Sequence, residues 1–346
     1  MISQGPVTIG VPVRIGARTS PLARAQAELV ADALRSRGAA VDLVGITTRG
    51  DTDRRSFTEI AADAGAGVGT GLFAAAVRQA LLAGEIDVAV HSAKDLPTAD
   101  AEGITLAAVP AREDRRDVLI GSTLADLPDG ALVGTGSPRR AVQLEAWAAA
   151  QGRTIEIVPA RGNVDTRLGL VRDGRLAAVV LAAAGLRRLG RLGPELGPYE
   201  ILPTDVMLPA AAQACLAVET RSGVDPGLGA MLAELDDPAA HTELIAERAF
   251  LAAIEAGCLA PVGVSAELAI GGAGGVSSSG SDSAPDQVST PGTGRSDLTM
   301  TAVIGRTLLG SPRLTRLTVG GTGREAADTG RELARRLLAL VDADNN

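Results

Sequence analysis

Aromatic side chains are almost missing from this chain of 346 residues, which holds three Phe, one Trp and one Tyr. Nucleic-acid binding by base stacking has almost nothing to work with, and a formal net charge of −8 argues the same way. Cysteine is as scarce: Cys215 and Cys258 make no disulfide framework, and no Cys/His pairing has metal-ligand spacing, so no metal is expected. The stretch MISQGPVTIGVPVRIG has no basic segment and is interrupted by Pro6 and Pro12. It reads as neither signal peptide nor membrane span, and a cytoplasmic location is expected.

Lysine is the scarcest of the charged residues. Of 33 basic residues a single one, Lys94, is lysine. Arginine replaces lysine freely where only a solvated charge is needed, but not where a compact ammonium is required. Lys94 is therefore either a surviving surface lysine or such a site.

What is abundant is Ala, Leu and Val, within a hydrophobic fraction of 46%, enough for a sizeable core and two or three domains. VPVRIGAR is a short apolar run followed by Ser20-Pro21 and the helically spaced LARAQAELVADALRSRG. ALVGTG, Ser137-Pro138 and RRAVQLEAWAAAQG repeat that plan, so SPLARAQ and SPRRAVQ stand as two copies of one strand-turn-helix device. Ser suits the N-cap and Pro the first helical position, leaving backbone N–H groups aimed at one spot. A third SPR at Ser311–Arg313 shows how weak the tripeptide is alone.

A second pair of segments supports duplication. LFAAAVRQALLAGEIDVAVHSAKDL and TRLGLVRDGRLAAVVLAAAGL both read helix, glycine, buried strand, with Gly84 and Gly174 in equivalent places. The expected fold is α/β: two doubly wound domains flanking a cleft, arranged like periplasmic binding proteins, with sites at strand carboxyl ends. PAREDRRDVL and LPTDVMLPAAAQ read as the two crossings between them. Domain 1 is expected over 1–114 and 214–236, domain 2 over 115–213, and a small α+β domain 3 over 237–346, in which the Gly/Ser/Pro-rich 271–297 reads as a disordered insertion. GAGVGTG at 65–71 reads as a mobile lid or a plain surface loop, since it fits no phosphate fingerprint.

The cleft's cationic inventory is Arg18, Lys94, Arg139, Arg140, Arg161, Arg167 and Arg188, each near a strand end or helix start. Such residues are not expected to build a core, and so many suit a polyanion rather than one carboxylate; any one of them could instead be a solvated arginine. Lys94-Asp95 follows a buried strand, where a carboxylate could hold a positive centre or relay a proton, or form a loop ion pair. His91 reads first as a core histidine. Cys258, on a loop after a helix, is either an exposed functional thiol or a small buried hydrophobe, whereas Cys215 reads as core.

At this point the motifs IGARTSPLARAQ, GLFAAAVRQALLAGEIDVAVHSAKDLPT, REDRRDVL, VGTGSPRRAVQL, RGNVDTRL, LAAAGLRRLG, LPAAAQACLAVE and ERAFLAAIEAGCLAPVG together resemble the hydroxymethylbilane synthase family, also called porphobilinogen deaminases. The resemblance runs in order from about residue 13 to 265. It implies a transferase of tetrapyrrole biosynthesis that condenses porphobilinogen head to tail, releases ammonia and hydrolyses the product to hydroxymethylbilane. It also implies a dipyrromethane cofactor, joined by a thioether to a cysteine that falls on Cys258. The family's essential aspartate falls on Asp95, suited to stabilising the azafulvenium charge left when ammonia departs. Lys94, Ser137, Arg139, Arg140, Arg161, Arg167 and Arg188 are implied as cofactor-binding, and Arg18, Ser20, Gln26 and Gln213 as substrate-binding. The expected enzyme is a monomer acting on a small molecule, with no nucleic acid or membrane partner.

Three departures stand out: Thr70 where many members have Lys, AAAQACLAVE in place of a glycine-rich GQGA form, and the 271–297 insertion. A non-enzymatic anion- or solute-binding protein of the same two-domain fold is the competing reading, but it would have no use for the Cys258 domain. An inactive paralogue with a scaffold role also stays open.

Overall fold

A computed structural model describes residues 12–48, 72–254, 261–269, 297–308 and 311–343. Thr70 with the 65–71 glycine run, Cys258, and the insertion as far as residue 296 lie outside the described residues.

Strand β1 (Val13–Arg18) buries Val13, Ile15 and Ala17 on the face covered by helix α1 (Pro21–Arg35). On its other face Gly16 lets Ile86 approach so closely that a Cβ there would lie 2.3 Å from the Ile86 side chain. Helix α1 starts as the motif predicts: Ser20 is the N-cap, its Oγ accepts from the Ala23 N–H at 3.3 Å, and Pro21 follows. Gln26, Ala27, Val30, Ala31 and Leu34 form its buried stripe. The helix ends at Arg35, short of Gly38, which supplies the φ of +92° that the exit turn needs.

β1 pairs in parallel with β2 (Val41–Ile46) and with β3 (Val88–Ser92), which follows helix α2 (Leu72–Leu82). Beyond β3 lies β10 (Leu216–Arg221), antiparallel to β3 and to the edge strand β4 (Ile104–Ala108), giving the order β2-β1-β3-β10-β4. The second sheet repeats this plan. Its parallel strands are β6 (Ala131–Gly134), β7 (Ile155–Val158) and β8 (Ala178–Ala182), and β5 (Asp117–Ile120) runs antiparallel between β8 and β9 (Tyr199–Ile201). The order β7-β6-β8-β5-β9 superposes position by position on the first. Gly84 and Gly174 also match, at φ +74° and +69°, each ending the helix before a central strand: α2 in one case and α4 (Val164–Arg172) in the other.

The repeat has one topological consequence. In each sheet the antiparallel fourth strand, β5 or β10, is the one entered directly from a crossing. Both crossings therefore end in the middle of a sheet rather than at an edge.

A third unit consists of the antiparallel sheet β11 (Val262–Leu268), β12 (Leu298–Leu308) and β13 (Ser311–Gly321), packed against α7 (Pro238–Ala253) and α8 (Ala326–Ala343) around Phe250. Ser311–Arg313 opens a strand here, not a helix. Helix α7 binds the two crossings together through buried charge. Glu247, fully buried, receives Arg112 at 2.8 and 2.9 Å and the backbone N–H of Ala212 and Ala266 at 2.6 and 2.8 Å. Arg112 also donates to the Gln213 carbonyl at 3.0 Å, and Glu243 accepts from Arg112 and Arg115 at 3.1 and 2.8 Å.

Removing one partner of such a pair leaves an uncompensated buried charge. Glu247→Ala is expected to destabilise the fold by about 3–5 kcal/mol, with Glu247→Gln less damaging. Urea denaturation of the full chain measures it; a loss below about 1 kcal/mol for the alanine variant would put the crossings' anchor elsewhere.

Candidate anion-binding cleft

The carboxyl ends of β1 and β3 bring four expected site residues to one cavity: Arg18 at the end of β1, Ser20 at the N-cap of α1, Gln26 within α1, and Asp95 just after β3. Asp95 sits on a single 3-10 turn, Ala93–Asp95, braced by the Ala93 N–H to the Cys215 carbonyl at 3.0 Å and closed by the Leu96 N–H to Ala93 at 3.2 Å. The turn holds the half-buried carboxylate at the cavity wall. His91 lines the same cavity, buried, with Nε2 3.4 Å from Glu219. Burial alone would raise the Glu219 carboxyl, but Arg78, bonded to it at 2.6 and 2.9 Å, together with His91 holds it down at about 2.

The second half of the site contains a residue that sequence reasoning passed over. Asp117, the first residue of β5, is fully buried between two arginines. Arg139 Nη1 lies 2.8 Å from one of its oxygens; Arg140 Nε and Nη2 donate to the other at 3.2 and 2.8 Å. Gln213 Nε2 adds a fourth contact at 2.9 Å, and Gln213 Oε1 accepts from Lys94 Nζ at 3.4 Å. The expectation that such arginines do not build a core is corrected here: Arg139 and Arg140 are 4% and 7% exposed. They are tolerated inside because a carboxylate accompanies them. The only available signal was an acidic residue opening a strand beyond a crossing.

Lys94 is half-buried. Burial is the main cause that pushes its ammonium down to about 8; Asp95 and Asp117 oppose this, while Arg140 and Arg139 reinforce it. Asp117 behaves in the opposite sense. Burial alone would raise its carboxyl, but the charges of Arg139 and Arg140 hold it far below the usual carboxylate range.

The remaining expected residues take up varied positions. Ser137 precedes helix α3 (Pro138–Ala150) as its N-cap but makes no side-chain cap bond, and its N–H donates to Thr135 Oγ1 at 3.1 Å. Arg167, on the first turns of α4, donates to the Gly162 carbonyl at 2.9 Å; its guanidinium is held below the ordinary arginine value by burial and then by Arg140 and the exposed Arg161. Arg188 ends helix α5 (Ala183–Arg188) and donates to the Ala214 carbonyl of the return crossing. The two motif glutamines diverge. Gln26 lines the cavity, whereas Gln143 is buried against the return crossing, accepting from the Leu208 N–H at 2.9 Å and donating to the Leu208 carbonyl at 3.2 Å.

Lys94, Arg139, Arg140, Arg161 and Arg167 thus influence one another across a site whose nearby carboxylates, among the described residues, are Asp95 and Asp117. Cations brought together with too few internal anions are matched to a ligand bearing several carboxylates.

Known proteins resemble this chain over most of its length. The profile described as porphobilinogen deaminase, dipyromethane cofactor binding domain matches residues 13–226, and the porphobilinogen deaminase C-terminal domain profile matches 241–339. Porphobilinogen deaminase 1 of Streptomyces coelicolor is 54% identical over 260 residues, 74% of this chain and 78% of that protein. Porphobilinogen deaminase of Mycolicibacterium paratuberculosis is 52% identical over 259 residues, 74% and 77% of the two chains. Among solved structures, a periplasmic substrate-binding protein of an ABC transporter from Coxiella burnetii is similar at a TM-score of 0.36 and 17% identity, over 66% of this chain and 94% of its own.

The depressed Lys94 ammonium gives a pH dependence whose sign is fixed. Lys94 is charged below about 8 and neutral above it while the site holds no anion, so capture of a carboxylate weakens as pH rises through that value. Calorimetric titration of succinate into the Cys258→Ala chain is expected to show this fall. Lys94→Arg, which stays protonated, is expected to flatten it; the same alkaline fall in that variant would assign the titration to another group.

Proposed function

The chain belongs to the porphobilinogen deaminase family, and from that premise we propose which of its residues carry the reaction. The protein is a transferase, a hydroxymethylbilane synthase that condenses porphobilinogen head to tail with loss of ammonia, and it uses the family's dipyrromethane cofactor. The observation that carries the residue assignment is the convergence of Arg18, Ser20, Gln26 and Asp95 on one cavity beside the Lys94, Gln213 and Asp117 network.

The donor set fits the cofactor: among the described residues, guanidinium and ammonium groups crowd together with few carboxylates to match them. Lys94, Ser137, Arg139, Arg140, Arg161, Arg167 and Arg188 would hold its acetate and propionate arms, and Cys258 would anchor it. When bound, it supplies a tethered pyrrole to which each new ring is joined, so that addition becomes effectively intramolecular. Arg18 and Ser20 hold a carboxylate of the incoming substrate, with Gln26 beside them. Gln213 orients the Lys94 ammonium. Asp95 faces the positive charge that develops as ammonia leaves the substrate, stabilising it more in the transition state than before.

Three domains follow from the same reading, over 1–114 with 214–236, over 115–213 and over 237–346; the three separate sheets and their own cores support this division. The enzyme works as a cytoplasmic monomer on a small molecule, without nucleic acid or membrane, in keeping with its acidity and its few aromatic residues. A solute-binding reading shares the cleft but leaves the third unit without a task.

Intact mass of the purified chain tests the assignment: it is expected to exceed the sequence mass by one dipyrromethane, lost in Cys258→Ser. Retention of a covalent pyrrole in that variant would place the anchor at another residue. Asp95→Ala is expected to fold and to lose turnover by about two to three orders of magnitude, as when a principal charge-stabilising group is removed; near-normal turnover would end its assigned role.

A further inference from the structure

We propose that Asp117 is a positioning residue of the cofactor-binding site, an internal carboxylate that aims Arg139, Arg140 and Gln213 before any ligand arrives. The proposal rests on the cofactor-binding reading of those residues. Asp117 itself lies fully buried, so its action runs through its neighbours rather than by contact with substrate.

Its backbone is fixed first. Asp117 pairs with Ala182 in β8, and its carbonyl accepts from the Leu202 N–H at 2.8 Å, so the carboxylate is held on both sides by chain that belongs to the second sheet. Around it each of the two guanidinium groups also has a backbone anchor. Arg140 Nη1 donates to the Val180 carbonyl at 3.0 Å, and Arg139 Nη1 donates to the Leu208 carbonyl at 2.5 Å. Adjacent buried guanidinium groups repel one another, and burial with the Arg140 charge already holds Arg139 below the ordinary arginine value. A carboxylate between them lets two donors of like charge stay side by side in one orientation, at the start of a helix whose N-terminus also favours anions.

The same carboxylate also reaches the return crossing. Gln213 Nε2 donates to Asp117 and to the Arg115 carbonyl, at 2.9 and 2.8 Å, which leaves Gln213 Oε1 facing Lys94 Nζ. An amide can face a carboxylate only with its N–H₂ end, so Asp117 sets which end of Gln213 meets the ammonium. One buried charge thereby fixes three side chains assigned to the cofactor or substrate directly, Arg139, Arg140 and Gln213, and a fourth, Lys94, through Gln213. Preorganised donors of this kind lose little freedom when the ligand binds.

The single lysine makes the test direct, because reductive methylation with carbon-13 labels only Lys94 and the amino terminus. The charged groups that face Lys94 are Asp95, Asp117, Arg139 and Arg140. Asp117→Asn removes one of the two anions among them, so in the Cys258→Ala background the Lys94 midpoint is expected to fall by roughly one pH unit. In the otherwise unaltered chain, intact mass is expected to show a several-fold smaller cofactor-bearing fraction. Asp117→Glu keeps the charge but displaces it by one methylene: the Lys94 midpoint stays near its original value while cofactor loading remains impaired. A folded Asp117→Asn protein with an unmoved Lys94 midpoint and full loading would overturn the proposal. Should that variant not fold, full loading of Asp117→Glu overturns it instead. The Lys94 titration needs no cofactor, so a parent chain that carries no pyrrole would count against the functional reading and leave this measurement standing.

Discussion

Two chain crossings run side by side between the sheets, and the buried charge that holds them is the constraint on which the rest of the molecule depends. Because β5 and β10 each enter the interior of a sheet directly from a crossing, any shift of a crossing is transmitted to the centre of a domain. Arg112 on the outward crossing bonds the Gln213 carbonyl on the return crossing, and both are tied to Glu247 of the third unit, directly or through the neighbouring Ala212 N–H. Hydrophobic burial could bring these segments together, but it is non-directional. The charged hydrogen bonds add a register, and the positions of Asp95, Lys94 and Asp117 inherit it.

That register explains why two copies of one motif ended with different duties. The duplicated strand-turn-helix plan, its serine and proline signals and the paired glycines at 84 and 174 were legible in the sequence, because each depends on local backbone rules. Both glutamines were legible as a pair but not as different in role. Gln26 faces the cavity, while Gln143 meets the Leu208 backbone, and only the return crossing beside α3 makes that difference.

The cationic cleft was legible as an inventory of arginines but not as a balance of charge. Asp117 lies more than twenty residues from Arg139 and Arg140 in sequence and ninety-six from Gln213, so its role is visible only once β5, α3 and the return crossing come together. Glu243 and Glu247 were hidden for a similar reason: acidic residues along an amphipathic helix suggest a solvated face, whereas here they point inward to arginines of a crossing. Counting cations pointed to the candidate site. Finding the carboxylates that orient them required the fold.

The return crossing also carries strain where the resemblance led one to expect glycine. Ala212 and Ala214 adopt φ of +61° and +76°, on either side of Gln213. A non-glycine residue in this region costs about 1–2 kcal/mol. Alanine rather than glycine, however, reduces the freedom of the unfolded chain by an amount worth about 0.4–1 kcal/mol. The strain exceeds the gain, so the alanine pair costs some stability, but the backbone around Gln213 has fewer conformations open to it than a glycine pair would allow. Glu247 stabilises the first of these alanines by accepting its N–H. The crossing is thus stiffened at the residue that joins Lys94 to Asp117.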